Sequence, residues 1–395
     1  MALSFDDTEP ENLSPVVIKV IGVGGGGCNA LKQMMDFNLN GVELIVANTD
    51  KQVLQENPIP NKLQLGIKTT RGMGAGSKPE VGRLAAEEDI DKIREILNGA
   101  DIVFIAAGMG GGTGTGAAPV IANVARDMSI LTVAIVTKPF TFEGMPRMRQ
   151  AEAGLDVLKN EVDCLVVIPN DRISAVMGED ATLIGSFKTV DNVLRDAVYD
   201  IARIIQQHGH INTDLQDVRT VMGERGIAMV GSGEAKGEDR ARAATEKAIS
   251  SPLLENIELS SARALLVNVS AGPDIKNAEY NTACQVIYDI IDPDRVVLKI
   301  GLIIDKNMGD TLRVTVVATG IEDAENGDFL FGKSAGGSYT QVNDLFGMQS
   351  GETELKPPPL PRETTEEREP YRGSDNRDNH SGGFSLASLL RKRTR

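Results

Sequence analysis

Two glycine clusters, each directly after a run of apolar residues, limit most strongly what this chain can fold into. The first lies in IKVIGVGGGGCNALKQMM, residues 18–35. Its Gly22, Gly24 and Gly27 satisfy G-x-G-x-x-G, the glycine pattern of a dinucleotide-binding βαβ turn. The run VELIVANTD then places Asp50 at about the distance where such a fold has its ribose-binding acid. By itself, this motif predicts an NAD-dependent oxidoreductase.

The second cluster, GMGGGTGTGAAP, spans residues 108–119, follows the apolar run DIVFIAAG and opens a predicted helix. Consecutive glycine N–H groups at a helix N-terminus bind phosphate, and Thr113 and Thr115 add hydroxyl donors. Two such nests at neighbouring strand ends suit a triphosphate better than a single pyrophosphate. The chain has no G-x-x-x-x-G-K-[ST], which excludes a P-loop NTPase. Neither cluster contains a lysine, so backbone dipoles and a metal ion must offset the phosphate charge.

The composition is that of a globular protein with room for two cores and a tail: 395 residues, 41% hydrophobic and 25% charged. A net charge of −15 argues against nucleic acid as a partner. No apolar run is long enough to cross a membrane, and the acidic N-terminus is unlike a signal peptide, so we expect no transmembrane segment. Cys28, Cys164 and Cys284 have no paired spacing, which predicts reduced thiols and neither disulfides nor zinc.

Over residues 16–186, β-type runs alternate with helical ones. The runs VVIKVIGV, VELIVANT, DIVFIAAG, LTVAIVTK and CLVVIPN are nearly continuous in apolar residues, which predicts strands buried on both faces. Helical spacing occurs between them, as in EVGRLAAEEDIDKIREILNG. The alternation predicts an α/β fold with a parallel sheet, helices on both faces, and ligands at the carboxyl ends of the strands.

A long helix and a second domain are predicted next. The apolar stripe of FKTVDNVLRDAVYDIARIIQQH predicts a central helix over 187–209, about 30 Å long. Four further β-type runs predict a smaller C-terminal α/β domain over 210–320. Residues 1–15 and the linker 321–380, which is rich in Gly, Pro and charge, are expected to be disordered. The segment 381–395, with leucines before a basic end, is predicted to be a short docking peptide.

GGGTGTG resembles the signature of the tubulin/FtsZ GTPase family. IKVIGVGGGGCNA, VANTD, RGMGAGSKPEVGR, VTKPFTFEG and NTDLQDVRTVM occur in the order typical of the bacterial FtsZ proteins of that family. The resemblance runs from about residue 16 to 320. It implies a GTP-binding, GTP-hydrolysing protein that polymerises head to tail into filaments of the cytokinetic ring. The alternative is a GTP-binding filament or scaffold paralogue with little turnover.

The resemblance also implies the nucleotide-binding residues. Asp191 would accept hydrogen bonds from the N1–H and N2 amino groups of guanine, Phe187 would lie against the purine, and Glu143 and Arg147 would hold the ribose. Cys28 would occupy a position in the first phosphate loop that favours a small residue and would make the site sensitive to alkylation. The complete implied set is Gly25, Gly26, Gly27, Cys28, Asn29, Gly112, Thr113, Gly114, Glu143, Arg147, Asn170, Phe187 and Asp191.

The catalytic residues implied by the resemblance are Asn212, Asp214 and Asp217, which match a loop N-x-D-x-x-D after the central helix. A carboxylate there can orient or deprotonate the attacking water and help to place a cation. If the helix starts at the base and runs about 30 Å away, these acids reach only the nucleotide of the next subunit. Such a head-to-tail contact does not close and generates filaments, so hydrolysis should require polymerisation.

The implied cofactors are GTP or GDP, Mg²⁺ and a monovalent cation. The expected partners are further copies of the chain and membrane-anchoring division adaptors, and the expected location is the cytoplasm at the division site beneath the inner membrane. SLASLLRKRTR keeps an apolar pair before Arg391 but lacks the acidic residue and proline common in the family peptide. Its basic end, which includes Arg393 and Arg395, suggests direct contact with anionic lipid.

Overall fold

We describe the structure from a computed structural model. The described residues are 16–35, 41–177, 181–206, 215–224, 226–251, 254 and 259–321. The N-terminal segment 1–15, the linker beyond residue 321, the docking peptide 381–395 and the catalytic candidates Asn212 and Asp214 lie outside them, and the predictions made for them stay predictions.

Ten described strands form one sheet in the order β3-β2-β1-β4-β5-β6-β7-β10-β8-β9. Their bounds are β1 Ile18–Val23, β2 Val42–Asn48, β3 Asn61–Gln64, β4 Ile102–Gly108, β5 Leu131–Lys138, β6 Cys164–Pro169, β7 Ile227–Lys236, β8 Ala264–Ala271, β9 Val297–Ile304 and β10 Thr311–Ile321.

The helices lie between these strands, and two 3₁₀ turns cover Thr141–Glu143 and Leu259–Ser261. The helical bounds are α1 Gly24–Met34, α2 Lys51–Glu56, α3 Ile67–Thr70, α4 Pro79–Glu88, α5 Ile90–Leu97, α6 Thr113–Asp127, α7 Met145–Lys159, α8 Asn170–Met177, α9 Leu183–Gln206, α10 Leu215–Met222, α11 Arg240–Ile249 and α12 Asn277–Tyr288. Among these described helices, none is both long and apolar enough to span a membrane.

The central helix α9 starts earlier than the sequence predicts, at Leu183 rather than Phe187. Thr182 explains the difference, because its hydroxyl accepts a hydrogen bond from the Gly185 N–H at 3.1 Å, as an N-cap residue does. The extra residues carry the helix back toward the carboxyl edge of the sheet. Phe187 therefore lies in the second turn of the helix.

The strand order reverses direction at β1. β1 pairs in parallel with β2 on one side and with β4 on the other. The chain winds outward to β3 in one direction and to β6 in the other, so helices cover both faces. In such sheets a crevice opens at the carboxyl ends of the two strands at the reversal, and ligands bind there. Both glycine clusters lie at this point, directly after β1 and β4.

Two apolar layers enclose the sheet. On β1, Ile18 and Val20 pack in one cluster with α1 and α9, whereas Ile21 and Val23 pack in the other with α6. All six residues of β1 are buried, which confirms the prediction from its unbroken apolar run. The helices that follow β1 and β4 thus flank opposite faces, and their N-termini converge at the carboxyl edge.

The second half of the sheet joins the first through a narrow seam. β7 pairs in parallel with β6 only through Leu165 with Ile227 and Val166 with Ala228. Beyond it, β10 runs antiparallel to both β7 and β8. The predicted C-terminal strands are present, but they extend the first sheet and do not form a separate one.

Candidate nucleotide-binding site

The first wall of the site is the N-terminus of α1. Gly24 adopts φ +72°, a left-handed conformation that favours glycine, directly after β1. Gly25 is exposed and Gly26 half-buried, and a Cβ built on Gly25 would meet nothing within 4 Å. The N-cap residue Val23 has no polar side chain to cap the first-turn N–H groups, and no other described side chain does so. This helix end is therefore open to an anionic ligand.

The second wall is the N-terminus of α6, which begins at Thr113 after Gly112. A Cβ on Gly24 would lie 2.8 Å from the Gly114 nitrogen, so the two helix starts touch. Gly112 packs beneath the segment before α4, because a Cβ there would lie 2.8 Å from the Ala75 Cβ. Two glycine-rich helix ends in contact provide room and N–H donors for adjacent phosphates.

Thr113 is fixed by a residue that the sequence analysis did not assign. Its buried hydroxyl lies 2.7 Å from the hydroxyl of Thr49, which follows β2 in the VANTD run. Thr49 is completely buried. The bond ties the second phosphate loop to the end of β2.

Glu143 and Arg147 lie beside the second loop. Arg147 Nη1 is 2.9 Å from Glu143 Oε2, while Glu143 Oε1 accepts a hydrogen bond from the Phe140 N–H at 2.8 Å. A Cβ on Gly110 would lie 2.7 Å from the Arg147 carbonyl oxygen. The pair is therefore anchored and adjacent to the second loop, where it can bind a ribose.

Three phenylalanine rings connect this turn to the central helix. Phe140 stacks on Phe142 at 4.8 Å between centroids and meets the edge of Phe187 at 5.2 Å. Phe142 is 61% exposed and Phe187 40% exposed. Exposed aromatic faces beside a polar pocket are suited to stacking on a base. Phe142 escaped the sequence analysis, although it lies inside the quoted VTKPFTFEG.

Asn170 and Asp191 supply hydrogen-bond acceptors in the same region. Asn170 begins α8 and is buried, and its Oδ1 has no hydrogen-bond partner among the described residues. Asp191, one turn beyond Phe187, is half-buried, and burial raises its pKa to about 6. Buried acceptors that lack donors destabilise a protein unless a ligand provides them. A ligand that brings N–H donors would satisfy Asn170 and could also bind the Asp191 carboxylate.

Cys28 does not present its thiol to this site. The sulfur is fully buried and lies 3.6 Å from the Gly22 carbonyl oxygen and 3.9 Å from Asn48 Nδ2. Burial raises its pKa to about 12, which suppresses the reactive thiolate. The expected alkylation sensitivity is wrong for the folded chain, and only the backbone of Cys28 can face a nucleotide. Asn29 is exposed.

Asp217 lies far from this cluster, in the first turn of α10. Its Oδ1 is 2.6 Å from Nζ of Lys299 on β9. After α10 the chain enters β7 at Ile227, which pairs with Leu165 near the amino end of β6. Asn170, in contrast, follows the carboxyl end of β6. The catalytic candidate and the candidate base-binding residues therefore belong to opposite edges of the sheet.

The fold and this cluster define an α/β mononucleotide-binding protein with two glycine-rich phosphate loops and no P-loop. The model of the Tubulin/FtsZ family, GTPase domain, matches residues 17–178, and that of the FtsZ family, C-terminal domain, matches residues 226–322. The chain belongs to the tubulin/FtsZ family.

Relatives and solved structures agree with this assignment. The chain is 53% identical to the cell division protein FtsZ of Pseudomonas putida over 77% of this chain and 76% of that protein. It is 51% identical to that of Coxiella burnetii over 80% and 81%. The empty FtsZ dimer of M. jannaschii superposes with a TM-score of 0.74 at 38% identity, covering 79% of this chain and 90% of that chain. CetZ2 from Haloferax volcanii, at 21% identity and a TM-score of 0.68, covers 80% and 96% and shares the fold.

These findings confirm the predicted family and fold class. The G-x-G-x-x-G match has a packing explanation. A Cβ on Gly27 would overlap the carbonyl oxygen of Ala106 on β4, so α1 packs against the sheet only with glycine there. The oxidoreductase hypothesis has no support in the family models.

Proposed function

We propose that the chain binds GTP between the N-termini of α1 and α6 and hydrolyses it only after head-to-tail polymerisation, with Asp217 of the next subunit completing the site. The observation that carries this proposal is the separation of Asp217 from the base-binding residues. From Asp191 to the end of α9 the helix rises about 22 Å. A carboxylate beyond that end reaches a nucleotide only on a neighbouring copy.

Each part of the nucleotide has a partner in the described residues. The phosphates lie against backbone N–H groups of residues 25–29 and of Gly112, Thr113 and Gly114. Glu143 and Arg147 bind the ribose, Phe187 packs on the purine, and Asn170 assists. Asp191 accepts from the N1–H and N2 amino groups of guanine, which distinguishes guanine from adenine.

Hydrolysis adds water to the γ-phosphorus and breaks its bond to the oxygen that leaves with GDP. Asp217 and Asp214 orient this water and take its proton, and Asn212 helps to orient it. The described residues contain no group of three or more metal-ligating side chains. Mg²⁺ bound with the triphosphate would offset the phosphate charge, and Asp214 and Asp217 would help to bind a monovalent cation.

In the cell this activity belongs to division. The relatives are named as cell division proteins, and one solved relative is a dimer. We place the filaments in the cytoplasm at the division site, with membrane-anchoring adaptors bound through residues 381–395. The scaffold alternative is not favoured, because Asp217 is retained in the catalytic motif.

The decisive experiment measures GTP turnover per molecule across protein concentrations, with light scattering recorded alongside. We expect both to vanish below a shared threshold. A mixture of Asp217→Asn, which keeps its nucleotide site, and Asp191→Ala, which keeps its Asp217, should recover turnover that neither variant has alone. Turnover per molecule that stays constant down to monomeric protein would contradict the shared site.

A further inference from the structure

The catalytic candidate Asp217 has a charged companion that no motif indicated. Lys299 Nζ lies 2.6 Å from Asp217 Oδ1, with side chains 39% and 27% exposed. Lys299 belongs to β9, the edge strand of the sheet, against which α10 packs. The two side chains therefore reach solvent together from different elements.

The positive charge of Lys299 is relevant to the hydrolysis reaction. A carboxylate that approaches the triphosphate of another subunit brings negative charge toward negative charge. Neither glycine cluster of the nucleotide site contains a lysine or arginine, and the whole chain carries a net charge of −15. An ammonium group in contact with the carboxylate reduces the repulsion and fixes the orientation of the carboxylate oxygens.

We propose that Lys299 is a positioning residue for hydrolysis: it orients Asp217 and offsets its charge as the two enter the nucleotide site of the next subunit. This inference rests on the proposed shared site. It assigns to β9 a part in an active site whose nucleotide-binding residues all lie before α10. Lys299 acts through Asp217, whose carboxylate it contacts.

A second ion pair provides a matched control. Lys92 Nζ is also 2.6 Å from its partner, Asp89 Oδ1, and its side chain is 52% exposed. This pair lies at the start of α5, and Lys92 precedes Asp217 by 125 positions in the chain. Asp89 itself is only 6% exposed, so Lys92→Met removes a lysine–aspartate ion pair of the same length from a more buried carboxylate, without touching Asp217.

The test compares Lys299→Met, Lys299→Gln, Lys299→Arg, Lys92→Met and Asp217→Asn in the full chain. Circular dichroism checks folding, sedimentation measures polymer, and turnover is recorded against GTP and Mg²⁺ concentrations. We expect both neutral Lys299 variants to lose about tenfold or more in kcat per polymerised subunit with little change in KM. The Mg²⁺ concentration at half-maximal turnover should rise, and Lys299→Arg should restore most activity.

Three other outcomes would each refute a different claim. If Asp217→Asn is inactive while the neutral Lys299 variants behave like Lys92→Met, the role of Lys299 is refuted and the shared site stands. If those variants lower polymer mass but not turnover per polymerised subunit, Lys299 serves the subunit contact and does not position Asp217. If Asp217→Asn keeps full turnover, the proposed function itself is wrong.

Discussion

The hydroxyl groups of Thr49 and Thr113 share one hydrogen bond of 2.7 Å between the end of β2 and the first residue of α6. Both residues are buried, so neither hydroxyl readily exchanges this partner for water. The start of α6, which we propose as the second phosphate loop, is therefore fixed before any nucleotide binds. Such preorganisation lowers the entropic cost of binding.

Replacing Thr49 by Val tests whether this hydrogen bond preorganises the start of α6 for nucleotide binding. The change leaves the Thr113 hydroxyl without its partner, so we expect a loss of about 1–2 kcal/mol in the free energy of unfolding and several-fold weaker GTP binding. Urea denaturation and GTP titration measure the two effects. Thr132→Val is the control, because the buried Thr132 hydroxyl donates to the Ile130 carbonyl oxygen at the start of β5. The Thr132→Val variant should be less stable but should keep its affinity for GTP. An equal loss of GTP affinity in both variants would refute preorganisation.

The glycines of the first cluster should separate binding from folding. A Cβ at Gly25 meets nothing within 4 Å, whereas one at Gly27 overlaps the Ala106 carbonyl oxygen. We expect Gly25→Ala to fold with unchanged thermal stability but to bind GTP at least about tenfold more weakly, because phosphate must approach that backbone closely. Gly27→Ala should be destabilised by several kcal/mol or fail to fold. Undiminished GTP binding by Gly25→Ala would exclude the first loop as a phosphate site.

Asp191→Asn should change the base that the protein prefers. Guanine presents two donors side by side, and xanthine presents one donor and one acceptor. An asparagine amide matches xanthine, because its oxygen accepts and its nitrogen donates. We expect preference to shift from GTP toward XTP by about 100-fold or more in relative affinity. Competition titrations measure this ratio, and an unchanged ratio would show that another residue reads the base.

The pKa of Asp191 predicts how binding depends on pH. Burial raises it from 3.8 to about 6, and guanine requires the ionised form. GTP affinity should therefore fall about tenfold between pH 7 and pH 5. A raised carboxyl pKa means that the folded chain binds more protons than the unfolded chain in this window, so protonation of this group stabilises the fold as the pH falls. Weaker binding without unfolding, absent in Asp191→Asn, would distinguish this effect from acid denaturation.

Sequence patterns predict the bounds of those helices and strands that depend on residues adjacent in the chain. β5 has the bounds that its run LTVAIVTK predicts, and Pro139, which has no N–H to continue the ladder, follows it directly. The four-residue strand β3, NKLQ, is too short and polar to predict. The helical run 80–99 breaks in two at Asp89, whose carboxylate accepts the Gly66 N–H at 2.7 Å. Gly66 lies 23 positions earlier in the chain, so no pattern within the helical run predicts this break.

The residues of the candidate site also fall into two groups: those that a sequence pattern indicates and those that only the folded structure brings together. Glycine spacing indicates both phosphate loops, because close backbone approach requires glycine. Thr49, Phe142 and Lys299 gain their importance only from neighbours on other elements. No spacing rule relates Lys299 to Asp217, which lies 82 positions earlier in the chain.

The narrow seam between β6 and β7 has a consequence for biosynthesis. Every strand pair of the first six strands forms within residues 18–169, and the ladder between β6 and β7 consists of two residue pairs. The first half of the sheet can therefore fold while the second is still on the ribosome, since domains fold as units from the N-terminus. A nascent chain would acquire both phosphate loops before Asp217 is synthesised.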